Sequence, residues 1–265
     1  TFTSNFSSGD FFPLGTTISG SGNFKGKVSG SGENYKIDGS VDSQSLTAEG
    51  VYLKGVNVTA TVEGTNANYT TNGNAVAELL TFEDFRIEFP KLAGNVRGTG
   101  TDFRWVGELQ AVAAKTDAMT IGGLFLSDAV AEYKDRQFTA SAGSGRAQKF
   151  SIADDEFVAL TARNLRFSMP NGNVNLDADS ASAASMTNEN FKLNELRGRN
   201  VRIRNVDKRT NVDISSLQAR SAELKGRRLD DVTADKFSLT DLPNSTELSA
   251  SNLRAARLNA DGTVI

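Results

Sequence analysis

Cysteine and histidine are both absent from this chain of 265 residues, and proline occurs at only 4 positions. Without them the chain cannot build the common Cys/His zinc sites or the Ser-His and Cys-His nucleophile pairs. No disulfide can form either, which favours a cytosolic or a bacterial-envelope setting over a eukaryotic secreted one. The shortage of proline argues against a polyproline linker. We therefore expect neither an enzyme nor a bound cofactor.

Strong charge of one sign and long apolar runs are also missing. The formal net charge is −3, so overall electrostatics give no reason to expect nucleic acid as a partner. No run approaches the roughly 18 apolar residues that a membrane-spanning helix needs, so we expect no membrane span in this piece. The chain starts at Thr1 without a leader-like segment and ends on strand-like residues at Ile265. We therefore expect it to be a fragment of a longer protein.

The stretch from Leu46 to Gly64 has the clearest pattern in the sequence. Val56, Val58 and Val62 alternate with polar residues such as Asn57 and Thr59. A period of two predicts a β-strand that buries one face. Because similar stretches return along the chain, we predict an all-β fold.

Four columns of residues recur at an interval of 34 residues. They are Val28, Val62, Val96 and Val130; Gly30, Gly64 and Gly98; Tyr35, Tyr69 and Phe103; and Gly39, Gly73 and Gly107. Helical repeats of this length exist, but the apolar spacing of two favours strands. We expect three strands of about eight residues in each unit. Helices over 78–85 and 127–136 are the alternative for those two segments.

A second motif, apolar-x-small-x-x-apolar-x-apolar, starts at Leu46 and returns mainly in the second half. The later copies start at Leu160, Leu196, Leu217, Val232 and Leu248. The two residues after the small position predict a β-bulge. Between the halves, Asp177 to Asn190 is expected to be a loop or a short helix. The predicted division is a leading segment 1–22, a repeat region 23–150 and a second β region 151–265.

Together these patterns predict a repetitive antiparallel β-sheet curled into an elongated groove or taco. A β-solenoid and a closed sandwich are the alternatives. The apolar face must be covered by a second sheet, by the same sheet curled over, or by a lipid acyl chain, because leaving it wet is costly. The residues expected to line such a groove are Val56, Val58, Val62, Phe85, Ile87, Phe89 and Val96.

Charge is distributed unevenly along the chain. The segment from Lys192 to Arg228 contains eleven Lys and Arg residues and four Asp and Glu residues. Arg202 and Arg204 share a face opposite Val201 and Ile203. We therefore expect a basic stripe outside an apolar face, with Arg197, Arg199, Arg202 and Arg204 as its members. The stripe suits anionic lipid headgroups, lipopolysaccharide or an acidic protein partner. Protection of an edge strand by charge is the other interpretation.

Two phrases carry a family resemblance. They are Leu46-Thr-Ala-Glu-Gly-Val-Tyr-Leu-Lys-Gly-Val and Leu217-Gln-Ala-Arg-Ser-Ala-Glu-Leu-Lys-Gly-Arg-Arg-Leu-Asp-Asp-Val. Both resemble the AsmA and TamB-like proteins of bacterial envelopes, and the second is also similar to the β-jelly rolls of lipopolysaccharide transport. The resemblance implies a periplasmic β-groove, anchored elsewhere, that carries phospholipid between membranes or assists outer-membrane assembly. It implies no catalytic residues.

Two functions from different classes follow. The first is a non-enzymatic lipid conduit or envelope assembly factor in the bacterial periplasm, with phospholipid acyl chains or lipopolysaccharide and an envelope protein as partners. The second is a structural or adhesive β-solenoid that is secreted or displayed on the cell surface. An open apolar trough favours the first function, and a dry core favours the second.

Overall fold

A computed structural model describes most of the chain. The described residues are 2–6, 9–11, 16–48, 50–82, 84–117, 119–135, 137–152, 154–168, 173–206, 209–224, 226–242, 245–260 and 263–264. By its internal contacts the chain divides into two compact units. Unit 1 comprises residues 1–116 and 125–140, and unit 2 comprises residues 117–124 and 141–265.

Every regular element in the described residues is a β-strand. The first strands are β1 (Phe2–Phe6), β2 (Gly9–Phe11), β3 (Thr16–Ser31), β4 (Asn34–Ala48), β5 (Val51–Thr65), β6 (Asn68–Val76), β7 (Leu79–Phe82), β8 (Phe85–Glu88), β9 (Lys91–Thr99), β10 (Asp102–Lys115) and β11 (Met119–Lys134). The others are β12 (Gln137–Ile152), β13 (Asp155–Ser168), β14 (Val174–Thr187), β15 (Phe191–Val206), β16 (Arg209–Leu224), β17 (Arg227–Ala234), β18 (Lys236–Leu242), β19 (Ser245–Ser251), β20 (Arg257–Ala260) and β21 (Thr263–Val264). The predicted all-β, repetitive antiparallel fold is confirmed, and the helical alternative for 78–85 and 127–136 is wrong.

Unit 1 contains an antiparallel meander of long strands. β3 pairs with β4, β4 with β5, β5 with both β6 and β7, and β10 with both β8 and β9. Because β6 and β7 run in one direction along β5, they act as one long strand with a short interruption. β8 and β9 do the same along β10.

The 34-residue interval is the length of one hairpin in this meander. Two long strands and two tight turns fill each interval, so the expected three strands of about eight residues are wrong. Gly32, Asn66 and Gly100, one interval apart, are all left-handed turn residues with φ of 53° to 59°. The turns also contact one another, since Asn66 N–H donates to the Glu33 carbonyl at 3.1 Å.

The interruptions lie side by side and form a break line across unit 1. Gly55 has φ of +61° opposite Glu78, and Phe89 has φ of +50° beside buried Pro90. The hydrogen-bonded pairs therefore close a six-strand ring around the break, in the order β5, β6, β9, β10, β8 and β7. The pairing register continues across the break with the same number of residues on both strands. Near the break, the rings of Phe82 and Phe138 contact each other with centroids 5.8 Å apart.

Unit 2 contains a second meander with a slightly longer interval. β13, β14, β15 and β16 pair in sequence, and β17 and β18 together flank β16. Left-handed residues recur every 36 residues at Ala159, Glu195 and Asp231, and again at Asn164 and Asn200. Asn164 and Asn200 are the second of the two residues after the small position in the motif copies at Leu160 and Leu196, whereas Ala159, Glu195 and Asp231 each lie one residue before a copy. The pairing of β13, β14 and β15 continues without an extra residue at these places, so the predicted bulges stay a prediction. The loop or short helix expected over 177–190 is wrong, because β14 occupies most of it.

The fully dry core lies in unit 2. Its inner face is packed by side chains with at most 2% of their surface exposed: Ile152, Val174, Met186, Val212, Leu217 and Leu239. The rings of Phe150 and Phe157 contact each other in a tilted arrangement, with centroids 5.7 Å apart and 41° between their planes.

Candidate functional site: an apolar trough and an arginine groove

The inner face of unit 1 is built from rows that cross six neighbouring strands, β3, β4, β5, β6, β9 and β10. One row is Phe24, Val41, Val58, Ala75, Leu92 and Leu109. A second row is Val28, Ile37, Val62, Thr71, Val96 and Trp105. We call the surface formed by these two rows, with the small residues between them, the apolar trough.

A row of small residues forms the floor of the apolar trough. It consists of Gly26, Gly39, Ala60, Gly73, Gly94 and Gly107. A Cβ atom added to Gly73 would lie 2.6 Å from Ala60 Cβ, and one added to Gly26 would lie 2.7 Å from the Phe24 ring. The glycine positions therefore leave no room for a side chain, and apart from Ala60 the floor consists of backbone.

Glycines and aromatic residues alternate at one end of the trough. This row is Gly30, Tyr35, Gly64, Tyr69, Gly98 and Phe103. A Cβ on Gly64 would overlap the Tyr35 ring, and one on Gly98 would overlap Tyr69. Each ring thus covers the glycine of the next strand, which compensates for the missing side chain. Burial raises the pKa of Tyr35, and it is also the main cause of the raised pKa of Tyr69.

The trough is only partly covered. Val28 is 53% exposed, and Val58, Val62 and Val96 are half-buried, whereas the inner side chains of unit 2 are buried. The outer face of the same strands is polar, as shown by the ion pair of Lys36 with Glu63 at 2.5 Å. One sheet face is therefore mostly apolar, and each side chain in its two rows keeps part of its surface exposed.

The structure brings most of the predicted groove residues to this face. Val58, Val62 and Val96 lie in the two rows, and Phe85 and Ile87 lie on the inner face beyond the break line. A further predicted residue, Val56, is 4% exposed beside the break. Their role in lipid binding stays a prediction.

The placement expected for Phe89 is wrong. Its side chain is 54% exposed, and the neighbouring Pro90 is buried in its place. Pro90 cannot donate to a ladder and interrupts the strand, and the left-handed φ of Phe89 shifts the alternation of side chains by one residue without changing the strand register.

The predicted basic stripe is divided by its neighbours on β14. Arg204 donates to Asp177 at 2.7 Å and to the Ile203 and Leu176 carbonyls, and Arg202 lies 3.9 Å from the same carboxylate. Arg197 and Arg199 are exposed and lie elsewhere, in a groove of about 780 Å³ on the outer face of unit 2. We call it the arginine groove.

Sequence reasoning missed two residues that line the arginine groove, Arg146 and Arg163. The signal for Arg163 was present, because it precedes Arg199 by the 36-residue interval that also separates the motif copies at Leu160 and Leu196. No comparable interval pointed to Arg146.

Other chemistry is sparse in the described part of the chain. No group of three or more Asp, Glu, His or Cys side chains there could hold a metal ion. Nor do those residues include a helix with the length and apolar character to cross a bilayer. Comparisons with protein-family models, with curated proteins and with solved structures find no match to this chain. The resemblance to AsmA and TamB-like proteins therefore stays an expectation.

Proposed function

We propose that this protein is a non-enzymatic β-groove that holds lipid acyl chains in the apolar trough of unit 1. It would act as a lipid conduit or outer-membrane assembly factor in the bacterial envelope. The observation that carries the proposal is the half-buried apolar face that crosses six neighbouring strands, with Val28 53% exposed at one edge.

The length of the trough supports this occupant. Strands lie about 4.8 Å apart in a sheet, so rows across six strands extend about 24 Å. An acyl chain occupies about half of the roughly 30 Å hydrocarbon thickness of a bilayer. The trough is therefore long enough for one acyl chain lying across the strands, along the glycine floor.

The energetics point the same way. A half-exposed Val or Leu leaves about 40 Å² of apolar surface in water, or about 1 kcal/mol at 25 cal/mol per Å². Repeated along two rows of mostly apolar side chains, this amounts to several kcal/mol that an apolar occupant would recover. A polar ligand would recover none of it.

The rival function is a structural or adhesive β module, secreted or on a cell surface. The dry core of unit 2 favours it, because Met186 and Leu239 are 0% exposed and leave no space for a lipid there. Both observations fit one protein in which unit 2 is a scaffold with a dry core and unit 1 carries the partly open trough. In such a protein the trough of unit 1 would be the functional part.

The test is a titration with a fluorescent polyene fatty acid. Val58 lies in the trough, while its neighbour Thr59 is exposed on the outer face. Val58→Asp is expected to weaken binding at least tenfold, and the matched control Thr59→Asp is expected to bind as the parent does. Circular dichroism follows folding, and Val58→Thr provides a milder variant.

Two results would overturn the proposal. One is the absence of saturable binding to the folded parent protein. The other is equal loss of binding in the Thr59→Asp and Val58→Asp variants, which would place the ligand away from the trough.

A further inference from the structure

The arginine groove lies between two lines of left-handed residues on the outer face of unit 2. Asn164 and Ala159 bound it on β13, and Asn200 and Glu195 bound it on β15. Two rows cross it: Thr161, Ser182, Arg197 and Gln218, and next to them Arg163, Ser180, Arg199 and Ser216.

The groove is positively charged and rich in hydrogen-bond donors. No carboxylate lines it among the residues that the structure describes. Arg163, Arg197 and Arg199 form no ion pair in the described ranges, although Arg202 and Arg204 farther along β15 share Asp177. Between the arginines lie serine and threonine hydroxyls and one glutamine amide. Such a set of donors is suited to an oxyanion.

We propose that the arginine groove binds a phosphate group above Ser180. Ser180 pairs with Arg163 on one side and with Arg199 on the other. Neighbouring strands are about 4.8 Å apart, so the two arginines flank the serine from both sides. Arg197 is two residues from Arg199 on the same face, about 6.8 Å along the strand.

A guanidinium group can donate two parallel hydrogen bonds to two oxygens of one phosphate, and the Ser180 hydroxyl adds a further donor. The group is either the phosphate of a small phosphorylated compound or the phosphate of a lipid headgroup. Both offer the same chemistry to these side chains. The proposal concerns unit 2 alone and does not depend on lipid in the trough of unit 1.

The experiment uses two probes and a pair of matched variants. Inorganic pyrophosphate is titrated calorimetrically at low salt, and sedimentation is measured with vesicles of phosphatidylcholine with and without phosphatidic acid. Arg199→Gln is expected to weaken binding about tenfold. Arg202→Gln removes the same charge from the same strand face outside the groove and is expected to change binding less than twofold.

Saturable binding of pyrophosphate with this difference between the variants supports a small phosphorylated ligand. The same difference seen only with phosphatidic acid vesicles supports a lipid headgroup. Absence of binding to both probes overturns the proposal, as does an equal loss in the two variants, because that result would reflect net charge alone. Thermal melts of both variants establish that they are folded.

Discussion

The contrast between a dry unit and a partly open one predicts that two leucines respond very differently to truncation. Leu239 is 0% exposed in unit 2 and pairs with Val212 across β16 and β18. Leu92 is half-buried in the trough of unit 1, between Ala75 and Leu109. Both lie on inner faces and have the same chemistry, so they differ mainly in what covers them.

The expected magnitudes differ several-fold. Truncating a fully buried leucine to alanine costs about 3–5 kcal/mol, since the lost transfer energy adds to the energy of the cavity left behind. Leu92→Ala removes a side chain that water already reaches and leaves no closed cavity. About 1 kcal/mol is expected there, which corresponds to half of the transfer energy of a leucine.

Hydrogen exchange followed by mass spectrometry measures the two effects locally, which matters because a protein of two compact units need not unfold in one step. In Leu239→Ala, a loss of about 3 kcal/mol in the free energy of unfolding should make the amides of β16 and β18 exchange more than 100-fold faster. In Leu92→Ala, amides of β6 and β9 should exchange about fivefold faster. Equal losses of protection in the two variants would refute the distinction between a dry core and an open trough.

Two further predictions concern unit 1. Gly73→Ala should lower the free energy of unfolding by about 1–3 kcal/mol, because the new Cβ would lie 2.6 Å from Ala60 Cβ. In the control Gly122→Ala the nearest contact of the new Cβ is at 3.8 Å, so this variant should be nearly as stable as the parent. Urea unfolding measures both. The hydrogen bond from Lys115 lowers the pKa of Glu88, so this contact stabilises the fold above the usual carboxyl pKa and is lost as the pH falls through the lowered value. Carboxyl NMR titration should show the Glu88 pKa rising in Lys115→Met, and an unchanged pKa would disprove the contact.

The alternation around Val58 was enough to predict strands, their inner face and much of the trough. Strand length was not predictable in the same way. Strands usually have five or six residues, and the residues at the break line are of the types that form turns, so the sequence favoured shorter strands. Glu78 and Pro90 are typical boundary residues, yet here they mark interruptions inside long strands. Phe89 lies off the predicted face for the same reason, since its left-handed φ shifts the alternation of side chains by one residue.

The basic stripe shows what alternation cannot supply. Alternation groups Arg197 with Arg199 and Arg202 with Arg204, but these two pairs share the outer face of β15 only because the left-handed Asn200 between them shifts the alternation by one residue. Alternation also carries no information about the neighbouring strands. Asp177 neutralises one half of the stripe from β14, a segment whose Asp, Ser and Ala residues are poor strand formers and suggested a loop. Arg163 extends the other half from β13, and although the 36-residue interval links it to Arg199, only the strand register shows that the two arginines flank Ser180.

The most direct test of the central claim is native mass spectrometry of the purified chain after expression in the envelope of a Gram-negative bacterium, combined with lipid extraction. We expect a bound acyl lipid in the parent protein. We expect the lipid to be lost in the Val58→Asp variant and retained in Thr59→Asp. A stably folded protein that carries no lipid, and takes up none from mixed micelles, would contradict an open trough that binds acyl chains and would leave the closed structural module as the function.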